Sequence, residues 1–350
     1  MEQQSNSSRP DPSKIMQVGM GFWASKSLLA AVNYSLFTML AGQSKKAKEI
    51  KDVLNLKTTD RHVYDWLDVL VSMDFLQRDG LLETAVYSNS ADTEMFLDEK
   101  KPSYVGGILK MGNKRLYAHW GHLEEGLLTG EAQNESKGGA DMHFFNDLYK
   151  SPEQLSLFIN AMSGIQVGNF MTLAKKFDFS KYKTMADIGG ADGFLSCILA
   201  SQHPSVSFTT FDLPPVAPVA QKKIDSLNLS DRIKVEGGDF LKDPIPSADI
   251  ITMGNILHGL NESTKIELIN KVYDALPQSG VFMAIENIID NDRRKNTFGL
   301  LMSLNMLIEN GDGFDYTMND FEGWVTKAGF TRTEIIPLTG ATSAAIAYKE

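Results

Sequence analysis

The chain has 350 residues, 43% of them hydrophobic and 22% charged, with a net charge of −10. Such a length and composition describe a globular protein of about two domains. The acidic balance argues against nucleic acid or an anionic membrane surface as the main partner, and the single cysteine, Cys197, excludes an internal disulfide framework and a cysteine-rich metal site.

Residues 1–14 are polar, contain Pro10 and Pro12, and lack the apolar core of a signal peptide. The most apolar stretch, residues 27–41, is too short to span a bilayer and carries Asn33 and Ser35. A cytoplasmic location is the expectation. Residues 15–40 are rich in Ala, Leu, Met and Phe on more than one face, which predicts a helical region buried on several sides, most simply against a second copy of the chain. Residues 47–54 read as a short helix. Thr59 or Asp60 caps a further one, with Val63, Trp66, Leu67, Leu70, Val71 and Phe75 at helical spacing. Asp79-Gly80 marks a turn into a short alternating strand at 81–87.

Helix, helix and strand pair is a winged-helix order. The would-be recognition helix carries Asp60, Asp65, Asp68 and Asp74, which repel phosphate, so dimerisation is favoured over DNA binding. Residues 103–175 read as mostly helical. His119, His122 and His143 in this region read as ordinary surface or core histidines, so no metal site is expected. From residue 182 onward the pattern alternates. Strands are expected at 184–188, 206–211, 233–236, 250–253, 280–286 and 344–348, which predicts a mainly parallel sheet covered by helices on both faces. Cys197 is expected on the buried face of the first of these helices.

The chemistry gathers at the strand ends. The run Asp187-Ile188-Gly189-Gly190-Ala191-Asp192-Gly193 couples an acid to a glycine-dense turn, and Asp212 ends the next strand in Asp-Leu-Pro. Open α/β sheets bind ligands at such carboxyl ends, and a carboxylate at the second strand tip suits the hydroxyls of a ribose. The dinucleotide fingerprint fails, because Ala191 and Phe194 stand where glycines belong, and a Walker loop is missing. Gly238-Asp239-Phe240 closes the third strand with an acid and an aromatic ring suited to an adenine. His258 follows the fourth strand, Glu286 closes the fifth, and Asp315 follows a glycine-rich loop. A histidine with two converging carboxylates is the arrangement of a general base held in one tautomer.

Taken together, Asp-x-Gly-Gly-x-x-Gly, Asp-Leu-Pro, Gly-Asp-Phe, Leu-His and the Gly-Asp-x-Phe-Asp-Tyr-Thr loop resemble the plant-type and bacterial small-molecule O-methyltransferases that use S-adenosylmethionine. The caffeate, hydroxyindole and polyketide enzymes belong to this group. The resemblance spans roughly residues 15–349. It implies an α/β chain in which a Rossmann-like class I methyltransferase domain follows a mostly α winged-helix dimerisation domain. The divisions expected are 15–100 for dimerisation, 101–175 for a helical linker that covers the acceptor, and 176–350 for the cofactor-binding domain. The cofactor is S-adenosylmethionine, leaving as S-adenosylhomocysteine, with no metal.

Carried over by position, the resemblance implies that Gly189, Asp212, Leu213, Gly238, Asp239 and Phe240 hold the cofactor. His258 is the base, flanked by Glu286 and Asp315, and Phe158, Met162, Met306 and Asn310 line the acceptor. The chain departs from the family in three places. Asp315 replaces a longer glutamate, Gly259-Leu260 replaces Asp-Trp after the histidine, and Gly254 replaces a lysine. The expected reaction is methyl transfer to a hydroxyl of a small aromatic or polyketide-like molecule by a homodimer. The competing readings are N- or S-methylation at the same site, and a cofactor-binding regulator without turnover.

Overall fold

The computed structural model describes residues 10–135, 137 and 152–350. Contacts divide the chain into two compact units, Met1–Lys114 and Arg115–Glu350. The division falls after Lys114, inside the stretch 101–175.

In the first unit, the long apolar stretch is broken into the helices Ser13–Gly19, Gly21–Asn33 and Leu36–Met39. The last break falls at Ser35, whose φ of +53° no helix interior accommodates. Ala47–Val53 and Asp60–Ser72 follow, the latter capped by Thr59, whose side chain accepts the N–H of His62. Strands β1 (Lys45–Lys46), β2 (Leu76–Asp79) and β3 (Val86–Asn89) form an antiparallel sheet in the order β1-β3-β2. The strand expected at 81–87 is thus displaced. Asp79 ends the first arm of the hairpin, Gly80 turns at φ +81°, and a 3₁₀ turn at Leu82–Thr84 precedes the second arm. Leu36, Phe37, Ile50, Val63, Leu67, Leu70 and Tyr87 pack the core. Ile15, Val18 and Trp23 on the first helices remain exposed.

The second unit is built on β4 (Thr184–Ile188), β5 (Ser207–Asp212), β6 (Ile233–Gly237), β7 (Ile250–Gly254), β8 (Val281–Glu286), β9 (Arg332–Pro337) and β10 (Ser343–Tyr348). Their order is β6-β5-β4-β7-β8-β10-β9. β4 to β8 are parallel, while β10 inserts antiparallel between β8 and β9. The topology reverses at β4, between β5 and β7, which is where such sheets open a crevice for a ligand.

Alternation along the strands divides the core. Met185, Phe208, Ile250, Met283 and Ile346 face the helices carrying Leu173, Cys197 and Leu199. Ala186, Ile188, Ile251, Met253, Phe282 and Ala345 face Leu268, Val272, Phe321 and Trp324. Six of the seven strands fall where the apolar runs place them. β9 has no such run: it is a largely exposed edge strand whose Arg332, Thr333 and Glu334 carry no hydrophobic signature.

Candidate active site

The glycine turn after β4 is fixed from below. The N–H groups of Gly189 and Gly190 donate to the Phe211 carbonyl at 2.8 and 3.3 Å. Gly189 sits at φ +71°, and a Cβ there would overlap the Ile256 side chain; at Gly190 it would overlap Thr210. Neither position has room for a side chain, because the Ile256 and Thr210 side chains already pack there. Ala191 adopts φ +49° although it replaces a glycine. Asp212 at the tip of β5 accepts the N–H groups of Ala191 at 2.9 Å and Leu213 at 2.7 Å. Burial raises its pKa above the usual carboxylate range, opposed by these two hydrogen bonds.

Leu213 and Ala191 pack with Phe158 around Leu155, Ile159 and Val216. Phe158, expected beside the acceptor, packs against the same small cluster as Ala191 and Leu213. Met162, one turn further along the helix Pro152–Lys176, is half-buried. Gly238 donates to the Asp212 carbonyl at 2.9 Å and lies under the Phe211 ring with no space for a Cβ. Its part is to join the tips of β5 and β6. Asp239 accepts the N–H of Leu241 and pairs with Lys242 at 3.0 Å. Burial works to raise its pKa, but Lys242 and the backbone donors hold it below the ordinary value. Phe240 reaches the Gly189 side of the crevice.

His258 lies in the 3₁₀ turn Leu257–Gly259 after β7, and the turn is held from several directions. Glu286 Oε1 accepts the N–H of Ile256 at 2.9 Å and of His258 at 3.3 Å. Asn310 donates to the Gly259 carbonyl at 3.0 Å, so this side chain, expected to line the acceptor, braces the histidine turn. The imidazole Nδ1 stands 3.4 Å from Asp315 Oδ2, an ion-pair distance just beyond a well-formed hydrogen bond. Both side chains are buried, Asp315 to 1% of its surface. Met306 is buried four residues before Asn310 on the helix Thr297–Asn310.

Two glycines lie where the acidic loop meets the histidine turn. A Cβ on Gly313 would lie 2.9 Å from the His258 oxygen, and one on Gly259 would lie 3.2 Å from Asn310 Nδ2. The acidic loop closes directly onto the histidine turn, and two glycines allow it.

The groups around the imidazole shift one another. Burial pulls the His258 pKa down, but Asp315 and Glu286 outweigh it and the net direction is upward. Burial raises Glu286, with the His258 charge opposing and that of Asp315 assisting. Tyr316, fully enclosed, is raised well above its ordinary value, first by burial and then by Glu286.

The partners of two buried acids in the glycine motif carry no signal in the sequence. Asp187 accepts from Thr252 Oγ1 at 2.8 Å and is pushed up to about 7 by burial. Asp192 accepts from Ser163 Oγ at 2.7 Å and pairs with Lys223, tying the helix Pro152–Lys176 to the glycine turn. The acids were visible in the glycine motif. Their partners lie up to 65 residues away and carry no local signal. Among the described residues no group of three or more His, Cys, Asp or Glu is arranged to hold a metal. His119 contacts Glu135 at 3.3 Å and His122 contacts Glu125 at 3.9 Å, while His143 lies outside the described residues. No single described helix is long and apolar enough to cross a membrane.

A reversed-hairpin parallel sheet, a glycine-rich turn after β4 and a carboxylate at the tip of β5 are the features of a Rossmann-like methyltransferase. The chain belongs to the S-adenosylmethionine-dependent O-methyltransferase family: the family's O-methyltransferase domain matches residues 120–331 and its dimerisation domain residues 16–99. The tetracenomycin polyketide synthesis 8-O-methyl transferase TcmO of Streptomyces glaucescens is 36% identical over 338 residues, covering 97% of each chain. The N,N-dimethyltransferase OxyT of Streptomyces rimosus is 29% identical over 319 residues, covering 90% of each. The crystal structure of human N-acetylserotonin methyltransferase in complex with S-adenosylmethionine aligns over 98% of this chain and 99% of that one, with a TM-score of 0.88 and 26% identity.

Proposed function

We propose that this enzyme methylates a hydroxyl of a small aromatic or polyketide-like molecule, with His258 as the general base. One observation carries the reading: Ile256, two residues before His258, packs against Gly189, so the glycine turn of β4 and the histidine turn of β7 share one crevice. The residues present fit the cofactor. Gly189, at φ +71°, carries no side chain at the tip of β4, so the backbone there can approach a ligand closely, and Asp212 keeps lone pairs for two ribose hydroxyls beyond its two amide bonds. Leu213, Asp239 and Phe240 would border the adenine, with Gly238 shaping that loop. Bound there, S-adenosylmethionine supplies an electrophilic methyl on a sulfonium.

The protein's own task is to prepare the acceptor. A phenol has a pKa of about 10, so little of it is ionised at neutral pH. His258 takes the hydroxyl proton at Nε2 while Nδ1 faces Asp315, which stabilises the imidazolium that forms. Glu286 fixes the backbone of the base through two N–H groups. Met162 and Met306 offer adaptable apolar surface for a flat acceptor. The TcmO relative supports a polyketide-like hydroxyl. OxyT supports a second reading, transfer to an amine at the same site. Incubating the enzyme with methyl-labelled S-adenosylmethionine and a panel of phenols, hydroxynaphthoates, hydroxyindoles and aromatic amines tests both. Label on oxygen supports the first reading, label on nitrogen the second, and no label on any member contradicts both.

The working form is proposed to be a homodimer joined through the first unit. The dimerisation domain spans residues 16–99, and Ile15, Val18 and Trp23 expose apolar surface there. Light scattering is expected to give twice the mass of the chain.

A further inference from the structure

Lys265 is a buried ammonium that the chemistry above leaves unused. It lies on the helix Glu262–Ala275 and exposes none of its surface. Lysine is almost never fully buried unless its charge is matched. Its Nζ donates to the Leu260 carbonyl at 2.8 Å and to the Phe314 carbonyl at 2.9 Å. It also stands 3.1 Å from the centre of the Phe314 ring, with the Trp324 and Tyr316 rings at 5.5 and 5.8 Å. Leu260 comes two residues after His258, and Phe314 immediately precedes Asp315. One ammonium is therefore bonded to both backbone segments that carry the imidazole and its carboxylate.

The charge is placed as usefully as the hydrogen bonds. Glu286 faces it from β8, Asp312 and Asp315 from the glycine-rich loop, and Glu262 from its own helix. Around His258 the same Glu286 and Asp315 act in the opposite sense to Lys265. Lys265 opposes the two carboxylates that raise the His258 pKa, so its charge favours the free base, the form that can accept the substrate's proton.

We propose that Lys265 is a positioning residue for the transfer: it fixes the histidine turn against the Asp315 loop and sets a positive charge against the two carboxylates beside the imidazole. The inference rests on His258 as the base, yet its test reads the imidazole directly. The enzyme is labelled with ¹³C at histidine Cε1 and titrated by NMR with S-adenosylhomocysteine present. The His258 signal is assigned by its disappearance in His258→Gln. In Lys265→Met the imidazole pKa is expected to rise by about half a unit to one unit, because a nearby positive charge is lost. Lys265→Gln, which keeps a donor for the carbonyls, is expected to show the same rise, and Lys265→Arg to restore the parent value.

An unmoved His258 titration in Lys265→Met or Lys265→Gln overturns the proposal. So does loss of S-adenosylhomocysteine binding in both variants, which would make Lys265 a general support of the fold. Full turnover by His258→Gln would instead remove the base reading while leaving the measured coupling intact.

Discussion

Glu286 holds His258 by its backbone: Oε1 accepts the histidine N–H at 3.3 Å and the Ile256 N–H at 2.9 Å, while the imidazole is left to Asp315. The two carboxylates therefore divide the work. Glu286 positions the turn, and Asp315 sets the ring. Glu286→Gln retains an oxygen for the two amides and should melt close to the parent. Glu286→Ala leaves the buried His258 N–H and the half-buried Ile256 N–H unpaired, a penalty of about 1–3 kcal/mol for the buried group and less for the other. Thermal unfolding should show a clear loss for Ala and a small one for Gln; equal melting of the two would remove the backbone role.

Asp315→Asn tests the ring. Asp315 is among the groups that raise the His258 pKa, so its neutralisation lowers that pKa. The free-base imidazole then persists to lower pH, and the acid limb of the kcat/KM profile moves down. Turnover on the plateau should still fall roughly tenfold or more, because the imidazolium formed in the reaction loses its partner. A limb that stays in place would show that Asp315 does not face the base.

Gly259→Asp restores the acid usual in the family, and it is expected to lower activity. A Cβ at this position crowds Asn310, which holds the Gly259 carbonyl. Replacing Asn310 by Ala in the Gly259→Asp background should recover part of the loss. If Gly259→Asp alone raises turnover, the packing argument is wrong.

Asp212→Asn probes the cofactor side. A hydrogen bond to a charged acceptor contributes about 1.5–3 kcal/mol, so cofactor affinity should weaken roughly ten- to hundredfold. Calorimetric titration with S-adenosylhomocysteine measures this. Unchanged affinity would take Asp212 out of the ribose site.

The strands of the large sheet were legible because the central parallel ones, β4, β7 and β8, are almost wholly buried apolar runs, and Asp212 and Glu286 close β5 and β8. Asp212 accepts an N–H from the glycine turn, and Ile256, two residues before His258, packs against Gly189. What escaped sequence reasoning depends on distant pairing. Edge strand β9 has an exposed, charged pattern that resembles a loop. The bond from Asn310 to the Gly259 carbonyl, 51 residues away, has no local signal. Lys265 reads as an ordinary surface lysine on an amphipathic helix until the Asp315 loop closes over it.

The central claim concerns one imidazole. With the acceptor identified by the labelled panel, His258→Gln should be compared with the parent for S-adenosylmethionine binding and for single-turnover methyl transfer. The account predicts unaltered binding with transfer slowed roughly a hundred- to ten-thousandfold, the usual worth of a general base. Transfer at the parent rate with the cofactor bound would contradict it.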